Sequence, residues 1–244
     1  MRGFFTGSIV LAFMCLIVRQ PGVAQNETVT TTSTPAAAGL DLQAVTEIVK
    51  ESKNAAEIEQ KLNAPGGVNN LDVNGDGTVD YIRVTEYGKG NMRGFSLTVM
   101  DSTGAEHEIA TVEIERGYQS ANVIVAGAPE YYGPGVYYTG VWAPADVVLW
   151  VYLWHPHRWY YSPYHYGYYP AYYRPYRPVP YAAYRSGVTV VVRASVIHRA
   201  PYPRNYRSRS PFARRALRSG QRERIRSNNA RRERSERPRT RERE

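Results

Sequence analysis

The 244-residue sequence predicts an α+β fold: two N-terminal helices packed on a four-stranded antiparallel meander, followed by a Tyr/Pro-rich segment and a disordered Arg-rich tail. Three observations lead there. Between residues 42 and 62 the apolar side chains recur at helical spacing. From 79 to 126 they fall in short β-branched and aromatic runs separated by glycine turns. Beyond 127 the composition shifts to Tyr and Pro, then to Arg, so the material for a core is concentrated in the first half.

Residues 1–24 read as a cleavable secretory signal. Arg2 precedes an uncharged run from Gly3 to Val18, and Gly22-Val23-Ala24 ahead of Gln25 offers the small residues a signal peptidase accepts. The run is about 15 residues, short of the roughly 20 that span a bilayer, so no transmembrane span is expected once the signal is removed. Cys15, the one cysteine, sits inside this signal, so the exported chain would carry no disulfide. Residues 25–39, rich in Thr, Ser and Ala, read as a flexible leader.

The predicted domain covers 40–127. Asp41 is placed to cap a helix whose stripe is Leu42, Val45, Ile48 and Val49. Asn54-Ala55-Ala56-Glu57 has the spacing of a capping box for a second helix, with Ile58 and Leu62 on its buried side. Asn63-Ala64-Pro65-Gly66-Gly67 ends it. Strands are expected over Val79–Tyr87, Phe95–Met100, Glu106–Glu115 and Ala121–Ala126. The third alternates, with Ile109, Thr111, Glu113 and Glu115 facing away from Ala110, Val112 and Ile114. One sheet face would lie under the helices and the acidic one would be solvated.

In 128–198 the run Val147–Trp154 fits a strand or a short helix beginning near Pro144. The Tyr/Pro alternation from Trp159 to Tyr184 excludes a regular helix, because proline removes amide donors and locks φ, and favours an extended ribbon. It reads either as a sticky aromatic platform or as an ordered lid on the sheet. Val188–Val192 is a last strand candidate, and 199–244 has little left to bury and reads as disordered.

One stretch carries specific chemistry. In Asp72-Val73-Asn74-Gly75-Asp76-Gly77-Thr78-Val79-Asp80, oxygen-bearing residues alternate around a glycine-bearing turn. Calcium takes roughly six to eight oxygens at about 2.3–2.6 Å, and such a loop can converge Asp72, Asn74, Asp76, the Thr78 carbonyl and Asp80 on one ion. The alternative is a metal-free Asx/Gly turn. The stretch resembles the calcium loops of EF-hands, dockerin modules and FG-GAP repeats. It departs from the EF-hand at Arg83, where a bidentate Glu is expected, and in leading to a strand instead of a helix. Both departures agree with the FG-GAP style, and the resemblance implies a structural Ca2+ site, nothing catalytic. The Tyr166-Gly167-Tyr168-Tyr169-Pro170 run is similar to segments of exported bacterial proteins with the same layout, a resemblance that carries no activity.

His155 and His157, two apart with His165 nearby, could share a transition metal, but no carboxylate or thiol lies close in sequence to complete the set. No nucleophile elbow is present. Charge is asymmetric: 40–126 holds 14 acidic and 7 basic residues, whereas 198–244 holds 17 Arg and 5 Glu. The tail would attract anionic envelope polymers or lipids through charge, with no specific nucleic-acid role in an exported chain. The expected function is therefore that of an exported protein, periplasmic, envelope-associated or secreted. It would be non-enzymatic and would dock through its Tyr/Pro and Arg segments. The alternatives are a metal-dependent envelope enzyme using His155/His157 and nucleic-acid binding through the tail.

Overall fold

A computed structural model describes residues 39–192, 197–201, 203, 206–215, 218–219 and 226–227. The expected signal, most of the leader and most of the tail beyond 215 lie outside the described residues.

The two N-terminal helices form where expected. In α1 (Leu42–Glu51) the Asp41 carboxylate accepts from the amides of Gln43 and Ala44. In α2 (Ala55–Leu62) the Asn54 side chain accepts from Glu57 N. The return bond differs from a strict capping box: the Glu57 carboxylate takes Lys53 N at 2.8 Å in place of the cap's own amide.

A single antiparallel meander follows: β1 (Arg83–Lys89), β2 (Met92–Met100), β3 (Glu106–Arg116), β4 (Ala121–Gly127), β5 (Tyr137–Trp142) and β6 (His198–Arg199). The sheet thus has six strands, not the four expected. Between β4 and β5 lies the single turn α3 (Pro129–Tyr132), and after β5 a 3₁₀ turn at Pro144–Asp146 leads into α4 (Trp150–Trp154), which resolves the strand-or-helix alternative in favour of helix. Helices are therefore not confined to the N-terminus. Val188–Val192, expected as a strand, is the end of α5 (Tyr181–Val192). Here packing overrides the β preference of valine. Val188 lies one turn beyond Tyr184, both are buried, and the Tyr184 hydroxyl accepts Asp41 N at 2.7 Å and donates to Val68 O at 3.0 Å. The first strand also starts later than expected, because Asp80 N and Ile82 N bond Leu71 O and the Asn63 side chain instead of β2.

The register assigns the two faces. Val84 pairs with Leu97, Phe95 with Val112, and Val123 with Ile114; these side chains, with Trp142, form one core with α1 and α2. The other face carries Arg83 opposite Thr98, Thr85 opposite Ser96, Thr111 opposite Ser96, and Glu113 opposite Gly94. Gly94 is required there: a Cβ would meet the Tyr87 ring at 2.5 Å. A register shift at Leu97/Thr98 keeps Glu108 opposite Thr98 on this polar face. It is not solvated, contrary to expectation: Arg83, Thr85, Ser96, Thr98, Thr111 and Glu113 are all buried.

Candidate functional site

The Asp72–Asp80 loop closes on itself. The Asp72 carboxylate accepts from Gly75 N (2.7 Å), Asp76 N (3.1 Å) and Gly77 N (2.9 Å). Asp76 accepts Thr78 N at 2.8 Å, and Asp80 accepts Val73 N at 2.6 Å. The Asn74 amide lies between Asp76 and Asp80, 3.2 and 3.3 Å from their oxygens. Gly75 and Gly77 hold φ of +73° and +80°, a conformation that suits glycine. Burial pushes the Asp80 carboxyl up to about 6, and the charges of Asp76 and Asp72 add to the rise. Asp72, Asp76 and Asp80 therefore share one small turn in which their charges oppose one another, and the Asn74 amide nitrogen donates between the last two. Among the described residues no group of three or more His, Cys, Asp or Glu side chains stands as a metal-holding cluster.

The Tyr/Pro ribbon straps this loop to the domain. Val79 donates from its N to Tyr176 O at 2.7 Å, and the Tyr173 hydroxyl donates to Val79 O at 2.6 Å. Tyr176 donates to Asn69 O at 2.6 Å, and Asn70 bonds both backbone groups of Val179. The ribbon's other anchor is Glu59, which is fully buried. Its carboxylate accepts from Val84 N (2.7 Å), Tyr81 OH (2.8 Å) and Ser162 Oγ (2.9 Å), tying α2, β1 and the ribbon to one point. Burial raises its pKa above the ordinary glutamate value, although the Val84, Tyr81 and Ser162 bonds oppose the shift. Glu59 was legible in principle: Ala55, Ile58, Glu59 and Leu62 are the buried residues of α2 and follow helical spacing.

With its inner side held, the ribbon turns other rings outward. Trp159, Tyr161, Tyr166 and Tyr168 are about half exposed, and Arg158 before them and Arg174 and Arg177 after them are exposed. The segment is thus both lid and platform, divided side chain by side chain.

The histidines do not converge. His157 bonds the buried Glu86 carboxylate through Nε2 at 2.9 Å and packs on Tyr152 with ring centroids 4.0 Å apart. His155 instead meets Val151 O at 3.1 Å at the end of α4, and His165 meets Tyr166 O. The carboxylate near His157 comes from β1, a long-range partner that spacing along the chain could not reveal. A local His–carboxylate contact joins Asp101 and His107 at 2.9 Å, and Tyr131 bonds the same ring at 2.8 Å. Bonds from Thr103 first, and then His107, hold the Asp101 carboxyl below its usual range, while burial pushes Tyr131 up to about 12. A phenol so raised is a poor nucleophile at neutral pH.

Within the stretch expected to be disordered, one described segment has partners on the sheet. Residues 208–210 lie on the carboxylates of β3, and Ser210 is fully buried. Among the described residues no helix is long and apolar enough to cross a membrane. Comparison with known proteins supplies no relative: no family model, curated protein or solved structure matches the chain.

Proposed function

We propose that the chain is an exported, non-enzymatic protein that docks to the cell envelope or its polyanions through its Tyr/Pro ribbon and Arg-rich tail. The observation that carries this reading is the ribbon's division of labour. Tyr173, Tyr176 and Ser162 hold it to the domain by hydrogen bonds, while Trp159, Tyr161, Tyr166 and Tyr168 stand outward among exposed arginines. Rigid aromatic rings give contact area at low entropic cost, and guanidinium groups add attraction to phosphate or carboxylate polymers. The uncharged run Gly3–Val18 after Arg2 supports export.

In this reading the Asp72–Asp80 loop is a structural Ca2+ site. Asp72, Asn74, Asp76 and Asp80, with the Thr78 carbonyl, would hold the ion; burial is the main cause that raises Asp80, and the added repulsion from Asp76 and Asp72 is what a divalent cation would relieve. Because the ribbon is bonded to Val79 and Asn69, stiffening the loop would stiffen the platform.

The test is co-sedimentation of the full chain with anionic vesicles, compared with neutral ones. Retention is expected on the anionic vesicles alone, to weaken in high salt, and to fall when 199–244 are deleted or when Trp159 and Tyr168 become Ala. Retention unchanged by all three overturns the docking reading. The calcium part is tested by melting with and without the ion: a gain of about 2.7 kcal/mol is expected at hundredfold excess over Kd. Asp76→Ala should abolish it, and identical melts would make the loop an ordinary turn.

A further inference from the structure

Strand β3 presents Glu106, Glu108, Glu113 and Glu115 on the sheet face away from α1 and α2. Two of these have partners within the sheet: Glu106 is neutralised by Arg83, which also bonds Ser162 O, and Glu108 accepts a hydrogen bond from Ser96. Glu113 has no cation on the sheet itself, and its one sheet partner is the Tyr87 hydroxyl at 3.0 Å. Its carboxylate is nonetheless wholly buried. What buries and neutralises it is the tail.

The contacts are specific for an Arg-Ser sequence. Glu113 accepts Arg209 N at 2.6 Å and Arg209 Nε at 3.1 Å, so backbone and guanidinium of one residue grip both carboxylate oxygens. The guanidinium also reaches Glu115 at 3.5 Å. Ser208 Oγ lies 3.3 Å from Glu113, and Ser210 Oγ donates to Glu108 at 3.0 Å. The same Ser210 oxygen accepts Ala213 N at 3.0 Å, capping the turn at Pro211–Arg215 that follows. A serine without the arginine would leave Glu113 without a cation; an arginine without the following serine would leave Glu108 without its second donor. Beside the strap lies a cleft of about 380 Å³ bounded by Glu108, Thr111, Pro129, Tyr206 and Ser208, with room for the flanking side chains of a peptide.

The sequence repeats the Arg-Ser dipeptide, though not the preceding Ser208. After Arg207-Ser208 and Arg209-Ser210, the dipeptide recurs as Arg218-Ser219, Arg226-Ser227 and Arg234-Ser235, eight residues apart. We propose that the carboxylate face of β3 is a recognition groove for Arg-Ser peptide segments, occupied in cis by Ser208–Ser210 as an internal ligand. The partner it fits is the Arg-Ser tail of a second copy of this chain. Tethering gives the cis segment a high effective concentration, so exchange between copies follows when the cis segment is weakened or displaced. This inference stands on the β3 contacts and is independent of what the outward tyrosines bind.

The experiment titrates a fluorescently labelled peptide of residues 206–215 into two full-length proteins, the unaltered chain and an R209A/S210A variant. The variant is expected to bind the peptide at one-to-one stoichiometry, at least tenfold more tightly than the unaltered chain, whose groove is filled. Adding E113Q to the variant should abolish binding. Equal binding to both proteins would mean mere charge attraction and overturns the proposal, as does no binding to the variant. Limited trypsin digestion of the unaltered chain keeps the idea falsifiable should the variant fail to fold. Cleavage after Arg209 is expected to lag that after Arg218, and E113Q should remove the lag. Cleavage at Arg209 as fast as at Arg218 without any substitution also overturns it.

Discussion

The two faces of the sheet are covered by different means. Beneath α1 and α2, the side chains of Val84, Phe95, Leu97, Val112 and Val123 meet the helices that precede the sheet directly, and apolar contact suffices. The opposite face carries Arg83, Thr85, Ser96, Thr98, Thr111 and Glu113, and it is buried just as thoroughly. Its cover comes from far along the chain: Ser162 O over Arg83, and Arg209 over Glu113. Burying polar groups is costly unless they find partners, and although Arg83 Nε and Thr85 Oγ1 have none, this face still draws on specific distant residues, whereas the apolar face accepts any well-packed ones. Substitutions on the two faces should therefore differ in kind as well as in size.

The largest effect is expected on the apolar face. Phe95 is fully buried at the centre of the core cluster, and Phe95→Ala should cost about 3–5 kcal/mol in urea unfolding, through lost burial and the residual cavity. The loss should be the same in high salt. A cost comparable to that of a surface site would mean that the helices do not press on this face.

Next in size is Glu59, where the helical layer is tied to the ribbon. Glu59→Gln replaces one acceptor oxygen with a donor facing donors, and should cost about 1–3 kcal/mol. It also carries a pH signature. Because burial raises the folded pKa above 4.5, the native state holds more protons than the unfolded one from 4.5 up to the folded value. Stability contributed by this group is full below 4.5 and is lost as pH rises through the folded pKa. The Gln variant should show a shallower decline over that window, not a flat one, since burial raises Glu108 as well. Equal slopes would break the assignment.

The contrast between faces also explains what could be read in advance. The apolar face announces itself locally: α1, α2 and the cores of β2, β3 and β4 follow from helical spacing and alternation. The polar face does not. Alternating Glu113 and Glu115 look the same whether water or Arg209 lies above them, and nothing near β3 in sequence reveals a partner almost a hundred residues away. The same limit hid Glu86 behind His157 and turned Val188–Val192 from a strand into a helix, because Tyr184 and Val188 answer to α1. The Asp72–Asp80 turn was legible as a turn because its bonds are local.

A smaller effect is expected at Arg209, whose side chain is 41% exposed. Discounting for solvent screening, Arg209→Ala should cost about 1 kcal/mol, and unlike Phe95→Ala the cost should shrink in high salt. Combined with Glu113→Gln, the two losses should fall short of additive by a similar amount, since each removes the same contact. Strict additivity would show that the strap rests on the sheet without depending on the Glu113 carboxylate.

The smallest effect should come from Tyr161, at the edge of the polar face. Its ring lies 5.5 Å from the Arg83 guanidinium and is 56% exposed, while a backbone bridge joins it to Thr85. Arg83 keeps Glu106 and Ser162 O without it, so Tyr161→Ala should cost only about 0.5–1 kcal/mol, the size of an exposed cation–π contact. Tyr161→Phe keeps the π face and should be neutral. If Tyr161→Ala instead costs as much as Glu59→Gln, the ring is holding the ribbon down, and it belongs with the cover of the polar face and not with the outward platform.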